Sequence, residues 1–277
     1  MNNLLTVGNL TVTDLRNQET VLHGISFDLK PDSCLGIVGE SGSGKSMAVR
    51  ALLGLVNPWM QVQGTAALRR DGEVLDLLRQ DESMLRTIRG RHICMVLQDA
   101  MSAFDPLGKI GDQMAETFIE NKGIGQSEAI GMTLEALAML NMPDPEQVIR
   151  KYPHQLSGGM LQRCMVATAL AMKPDIIVAD ESTTALDSIN QRQVVEAFKT
   201  LRRETGTALI FISHDLGVVR HLADQLMVLH CGERVEYGEA QAIFRKPRHE
   251  YTRYLVNSRL ELSQSFTEAM KRGAVSA

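Results

Sequence analysis

Residues 39–46 read Gly39-Glu40-Ser41-Gly42-Ser43-Gly44-Lys45-Ser46, the spacing Gly-x4-Gly-Lys-Ser. Residue types in this order suit a phosphate group. Glycines let backbone N–H groups turn inward around phosphate oxygens, and a helix that follows adds the positive end of its dipole. Lys45 would reach the terminal phosphates, and the Ser46 hydroxyl would ligate Mg2+. An ordinary glycine-rich turn is the alternative. With Gly near 7% of residues, the four fixed positions arise by chance at roughly the per-cent level in a chain of this length.

Two carboxylates and a second glycine pair complete the set. The apolar run Ile176-Ile177-Val178-Ala179 ends in Asp180-Glu181. Alone, such a pair is a solvated strand end. Beside Lys45 the two acids take different jobs: Asp180 holds Mg2+, commonly through water, and Glu181 polarises an attacking water as general base. The stretch Leu156-Ser157-Gly158-Gly159-Met160-Leu161-Gln162-Arg163 begins a helix with Ser157 as N-cap, and capping alone accounts for the serine. Two glycines at a helix start also leave N–H groups for an anion. Two phosphate-facing segments in one chain suggest that two subunits share each nucleotide.

Positioning these groups requires an α/β core. Leu5, Val7 and Leu10 to Val12, then Ile25, Phe27 and Leu29, alternate as two half-buried strands joined by the polar stretch from Asp14 to Thr20. The apolar strand 34–38 runs into the glycine segment, and a helix with Met47, Val49, Leu52 and Leu53 follows, stopped by Asn57-Pro58. Short strands fill 62–97, with a helical piece near 81–89. Residues 110–172 read as helix, with segments at 111–120, 127–140 and from Ser157 to Pro174. Strands at 175–179 and 208–213 flank a helix at 190–205, a βαβ pattern. A helical insertion therefore interrupts an α/β core, with no internal repeat.

Composition bounds the partners. The chain has 277 residues, 44% hydrophobic and 22% charged, and a net charge of −4. It is long enough to bury a sizeable core, and its charge argues against neutralising many nucleic-acid phosphates. Cys34, Cys94, Cys164 and Cys231 are scattered, with no Cys-x-x-Cys pair, so they read as buried apolar residues of a reducing compartment rather than metal ligands. The N-terminus has no basic residue before Arg16 and no apolar core of the kind a secretory signal needs. No run approaches the roughly 18 apolar residues that span a bilayer. Work at a membrane would need another chain as anchor.

In this order the motifs resemble those of ATP-binding subunits of ABC transporters, over nearly the whole chain. The resemblance makes 39–46 the Walker A loop, Gln98 the Q-loop glutamine, Leu156 to Gln162 the signature, Asp180-Glu181 Walker B plus the catalytic glutamate, Ala185-Leu186-Asp187 the D-loop and His214 the switch histidine. It implies a P-loop NTPase fold with a RecA-like core, an antiparallel β subdomain and an inserted α-helical subdomain at about 99–172, in a single domain at 1–257 with a tail at 258–277. It further implies ATP and Mg2+ as ligands, the metal held by Ser46, Gln98 and Asp180. Glu181, His214 and Gln98 would be catalytic. Ser157, Gly158, Gly159 and Asp187 would contact nucleotide on the opposite subunit. A lone histidine after an apolar strand is otherwise a structural residue, and only the family's order makes His214 a γ-phosphate contact.

Within the family, 97–107 and the C-terminal Ile243-Phe244-x2-Pro247-x-His249-Glu250-Tyr251-Thr252-x2-Leu255 look like importers for peptides and nickel. The combination of Ser102-Ala103-Phe104-x-Pro106-Leu107, Ser157 to Arg163 and Arg253-x-Leu255-Val256 is similar to nickel-importer ATPases of the D type. The resemblance implies uptake of nickel or a nickel-metallophore complex, with dipeptide or oligopeptide import as the alternative. Its implied partners are two integral-membrane permease subunits, a second homologous ATPase in a heterodimer and an extracytoplasmic solute-binding protein. The place of work would be the cytoplasmic face of the cell membrane. Longer peptide-importer relatives can carry a C-terminal cysteine cluster, and this chain has none.

Three positions depart from the family pattern. Ser182 stands where proline usually follows the glutamate, and Asp105 where asparagine is common. Residues 1–26 hold no Phe, Tyr or Trp to stack on adenine, which leaves His23 as a substitute. Other classes fit less well. A chromosome or repair ATPase would carry long coiled coils, yet Lys45 and Ser157 are only 112 residues apart with no sustained heptads. A ribosomal ATPase would carry two such domains, and a small-molecule kinase would need neither Ser157-Gly158-Gly159 nor His214. Lys45→Ala should weaken ATP binding roughly tenfold or more, as expected for a lost charge-assisted bond to phosphate. Equilibrium titration with a fluorescent ATP analogue checks this, and unchanged affinity would remove 39–46 from the nucleotide site.

Overall fold

The computed structural model describes residues 3–260 apart from 71, 184 and 185. Two sheets organise it. Strands β1 (Leu5–Asp14) and β2 (Glu19–Leu29) form a hairpin, and β4 (Met60–Arg70) and β5 (Glu73–Asp76) extend it into an antiparallel sheet of order β2-β1-β4-β5. The alternation predicted from sequence is the register seen: Leu5 pairs with Leu29 and Val7 with Phe27, all four buried. A period of two places such residues on one face.

The second sheet contains β3 (Cys34–Val38), β6 (Ile93–Val96), β7 (Ile176–Asp180), β8 (Ala208–Ile212), β9 (Gln225–His230) and β10 (Glu233–Glu239), in the order β10-β9-β3-β8-β7-β6. Its strands pair in parallel except for β10. Every residue of β3, β7 and β8 is buried, as continuous apolar runs dictate when both faces are covered.

Alternate side chains feed two cores. Leu35, Ile37, Ile176, Val178, Ile210 and Ile212 face the antiparallel sheet and α1 (Lys45–Leu52). Cys34, Val38, Ile177, Ala179, Leu209 and Phe211 face a helical layer. That layer includes α3 (Ile110–Lys122), α4 (Gln126–Met139), α6 (Gly158–Met172), α7 (Ser188–Thr205) and α8 (Leu216–Leu222). Shorter helices are α2 (Glu82–Ile88), α5 (Pro145–Val148) and α9 (Ala240–Arg245), and α10 (Glu250–Leu260) closes the described chain.

Helix ends follow local chemistry. Ser157, Asp187 and Asp215 cap α6, α7 and α8 through side-chain oxygens. Gly206 ends α7 at φ 73°, and Lys173 in the left-handed region precedes the Pro174 that stops α6. One stop differs from the sequence reading. Helix α1 ends at Leu52 rather than at Asn57-Pro58, because Gly54 turns left-handed and the Leu55 N–H donates back to the Arg50 carbonyl at 2.8 Å.

Cys34, Cys94 and Cys164 are buried, as read from sequence, and burial pushes the Cys94 and Cys164 thiols up to about 12. Cys231 departs from that reading: it is exposed, in the turn between β9 and β10. No helix among the described residues is long and apolar enough to cross a membrane. The Phe198 ring meets Phe211 edge-on, with centroids 6.4 Å apart, and ties α7 to β8. Phe211→Ala should cost about 3–5 kcal/mol of stability, measured by urea unfolding.

Candidate nucleotide site

Parallel strands bring the predicted residues to one edge of the sheet. The glycine segment leaves the C-terminal end of β3, Asp180 ends β7, and Gln98 and His214 lie just beyond β6 and β8. Because these strands are neighbours, their following loops gather where open α/β sheets place ligands.

The loop is shaped around its own lysine. Lys45 is only 5% exposed, and its ammonium donates to the Gly39 carbonyl at 3.0 Å and the Glu40 carbonyl at 2.7 Å. Gly39 (φ 155°) and Gly44 (φ 95°) hold conformations that L side chains rarely adopt. A Cβ at Gly39 would collide with the Leu229 carbonyl, and one at Gly44 with Leu22. Gly44 is the residue before α1, so Lys45 and Ser46 open that helix.

The Ser46 hydroxyl donates to Asp180 Oδ1 at 2.7 Å, joining the loop to β7. Asp180 is buried, and burial raises its carboxyl above the usual range, opposed by the Ser46 bond and by Arg50 and Lys45. Two hard oxygen donors this close form a donor set that fits Mg2+. Glu181 behaves differently from its neighbour. Its φ of 48° breaks the strand at that residue, while its N–H still donates to the Ile212 carbonyl at 2.9 Å. The Glu181 carboxylate lies 3.6 Å from His214 Nδ1. The side chain is 17% exposed, so water can reach it. A fixed cation, hard oxygens and an accessible carboxylate are parts that phosphoanhydride hydrolysis requires.

Other predicted residues have settings of their own. Gln98 is exposed, and so are Ser157 and Gly158 at the N-terminus of α6. Ser157 Oγ accepts from the Met160 N–H at 3.3 Å, and a side chain at Gly158 would meet open space. Asp187 accepts the Ile189 and Asn190 N–H groups at 3.0 Å each, and the Asn190 bonds hold its carboxyl below the ordinary value. Ala185 lies outside the described residues. His23 is exposed on β2, with its N–H donating to the Gly232 carbonyl at 3.0 Å. Ser182 is buried. Asp105 caps its own turn, accepting the Leu107 N–H at 2.9 Å.

The structure gives individual contacts to two residues that sequence reasoning placed only within the signature stretch. Gln162, 1% exposed in α6, donates to the Leu97 carbonyl at 3.0 Å, one residue before Gln98. Arg163 donates to the Asn190 side-chain oxygen, and Asn190 in turn donates to Asp187. Helix α6 thus bonds both to the segment entering Gln98 and to the cap of α7. The available signal was a Gln-Arg pair at adjacent positions of a largely apolar helix.

The chain matches the ABC transporter family over residues 22–184. It belongs to that family. Over 97% of each chain it is 39% identical to the metal-staphylopine import system ATP-binding protein CntD of Staphylococcus aureus. It is 41% identical to the dipeptide transport ATP-binding protein DppD of Bacillus subtilis, across 95% of this chain and 79% of that one. A dimeric ATP-binding cassette in a post-hydrolysis state, bound to ADP and Pi, superimposes with a TM-score of 0.75 at 28% identity, covering 85% of this chain and 98% of the other. The sheets and helices described above are those of an ABC ATPase, and the cassette is an ATP-hydrolysing enzyme.

Asp180 offers a test separate from turnover. A buried acid whose carboxyl is raised contributes most to stability below its unfolded value, and that contribution is lost as pH rises through the shifted value. Ionisation of this carboxyl therefore works against the fold of the nucleotide-free cassette. Asp180→Asn should raise its melting temperature by a few degrees while abolishing ATP hydrolysis. Differential scanning calorimetry and phosphate release measure the two effects.

Proposed function

We propose that this importer ATPase energises uptake of a transition-metal cargo, nickel or a nickel-metallophore complex, across the cytoplasmic membrane. The observation that carries the reading is 39% identity to a metal-staphylopine import subunit over 97% of each chain. A second reading, dipeptide import, is supported by the equally similar dipeptide relative. The site geometry serves both, because solute selection falls to the permeases and the solute-binding protein.

In the proposed cycle two cassettes close head to tail on two ATP molecules. The loop N–H groups from Ser41 to Ser46 and the Lys45 ammonium bind the β- and γ-phosphates. Ser157, Gly158 and Gly159 of the other cassette reach the same γ-phosphate from the start of α6, and its Asp187 borders the site. Ser46, Asp180 and Gln98 would hold Mg2+, which when bound neutralises phosphate charge. Glu181 takes the proton of a water that attacks the γ-phosphorus in line, as the bond to the ADP oxygen breaks. His214, 3.6 Å from that carboxylate, orients it and contacts the γ-phosphate.

Coupling to the membrane is assigned to the loop after β6. A cavity of about 610 Å3 opens beside it, lined in part by Leu97, Phe104, Gln113 and Met165. Leu107, 85% exposed, projects from the same segment. An apolar recess next to Gln98 is where a permease segment would sense the nucleotide state, and Gln162 would pass that state to α6.

Radioactive nickel uptake decides between the cargo readings, in cells lacking the native copy and making either this chain or Glu181→Gln with its permeases. Metal import predicts uptake with the unmodified chain and less than about one hundredth of it with the variant, in line with loss of a general base. Labelled dipeptide uptake in the same cells, with no nickel uptake, would select the second reading.

A further inference from the structure

Tyr251, the second residue of α10, is buried, and its ring stacks on His230 with centroids 3.9 Å apart. His230 ends β9, the strand beside β3. The Tyr251 hydroxyl accepts a hydrogen bond from the Glu40 N–H at 2.9 Å. Residues far apart in sequence thus meet at the entrance to the phosphate loop.

The bond fixes one peptide plane. The Glu40 N–H and the Gly39 carbonyl belong to the same planar amide and point in opposite directions. That carbonyl accepts the Lys45 ammonium at 3.0 Å. Tyr251 therefore holds one side of the amide while Lys45 is held on the other. The preceding residue is a glycine at φ 155°, where the backbone alone restricts rotation least. An external hydroxyl supplies the missing restraint and keeps the Glu40 N–H turned away from the phosphate cradle.

Tyr251 is itself firmly placed. Glu236 in β10 accepts the Arg248 and His249 N–H groups at 3.0 and 3.1 Å, and His249 Nδ1 accepts the Tyr251 N–H at 3.2 Å. The segment from Pro247 to Thr252 thus aims the tyrosine at the loop. A second strut lies nearby, where the Gly232 N–H donates to the Ser43 carbonyl at 3.2 Å.

The geometry points to Tyr251 as a positioning residue for the phosphate loop, acting through the 39–40 peptide on the aim of Lys45. This rests on the nucleotide-binding reading of 39–46. Tyr251→Phe keeps the ring and its stack and deletes the hydroxyl. In the purified full chain it should weaken both ATP and ADP about three- to tenfold, the worth of one hydrogen bond. The KM for ATP should rise by the same factor with kcat within twofold, because the loop holds ground state and transition state alike. The melting temperature should stay within about 2 °C, since the ring remains packed.

Tyr251→Leu removes ring and hydroxyl together and should weaken ATP at least as much. Wild-type nucleotide affinity in either variant overturns the proposal. A loss of affinity in Tyr251→Phe that appears only with a fall in melting temperature overturns it too, by showing a packing role. Lys45→Ala, run in parallel, separates the layers. If it binds ATP normally, the phosphate-loop reading fails and takes this inference with it. If it loses ATP while Tyr251→Phe does not, only the tyrosine's role is lost.

Discussion

A lysine ammonium almost wholly removed from solvent must be surrounded by oxygen, and that requirement shapes the loop between β3 and α1. Lys45 finds its partners in the Gly39 and Glu40 carbonyls. Carbonyls can turn toward it only if the chain passes through conformations open to glycine, which Gly39 and Gly44 supply. The Glu40 N–H is taken by Tyr251 and the Ser43 N–H by the Glu40 carbonyl, so an anion would draw on the other N–H groups of the loop. The parallel sheet then sets what stands opposite: β7 delivers Asp180 to the same edge, where it accepts from Ser46. The cation is thus held by backbone carbonyls, and the serine and acid hold each other.

The two consecutive acids show how one strand end makes two environments. Asp180 is the last residue of a strand whose side chains are all buried, so it pays for desolvation and holds its charge reluctantly. Glu181 escapes by leaving the strand at φ 48°, which turns its carboxylate toward His214 and water. A non-glycine residue in the left-handed region is a cost of order 1 kcal/mol, tolerated where the geometry serves chemistry. Ser182, just beyond, is buried again.

Much of this was legible in the residues. The apolar stretches within 34–38, 175–179 and 208–213 read as buried strands because a sheet covered on both faces has no polar side. The site loops were readable because glycine, lysine and paired acids have few other uses in that order. What escaped was long-range. Gln162 and Arg163 reach Leu97 and Asn190 across helix and sheet, and neither periodicity nor propensity encodes such a reach. The seat of Tyr251 likewise depends on β9 lying beside β3, a fact of topology. Even the end of α1 was misplaced, because Gly54 turns the chain before the Asn-Pro pair that looked like the stronger stop.

Three of the four thiols are sealed in the core, with Cys94 and Cys164 pushed far above physiological pH, while Cys231 stands alone at the surface. It occupies the turn whose next residue, Gly232, donates to Ser43 in the phosphate loop. The unmodified chain consequently carries its own attachment point for a thiol-reactive dye. A maleimide fluorophore would go on at one place, in the turn that bonds to the 39–46 loop. Opening and closing of the cassette would then become visible as light, without engineering a cysteine into it or taking one away.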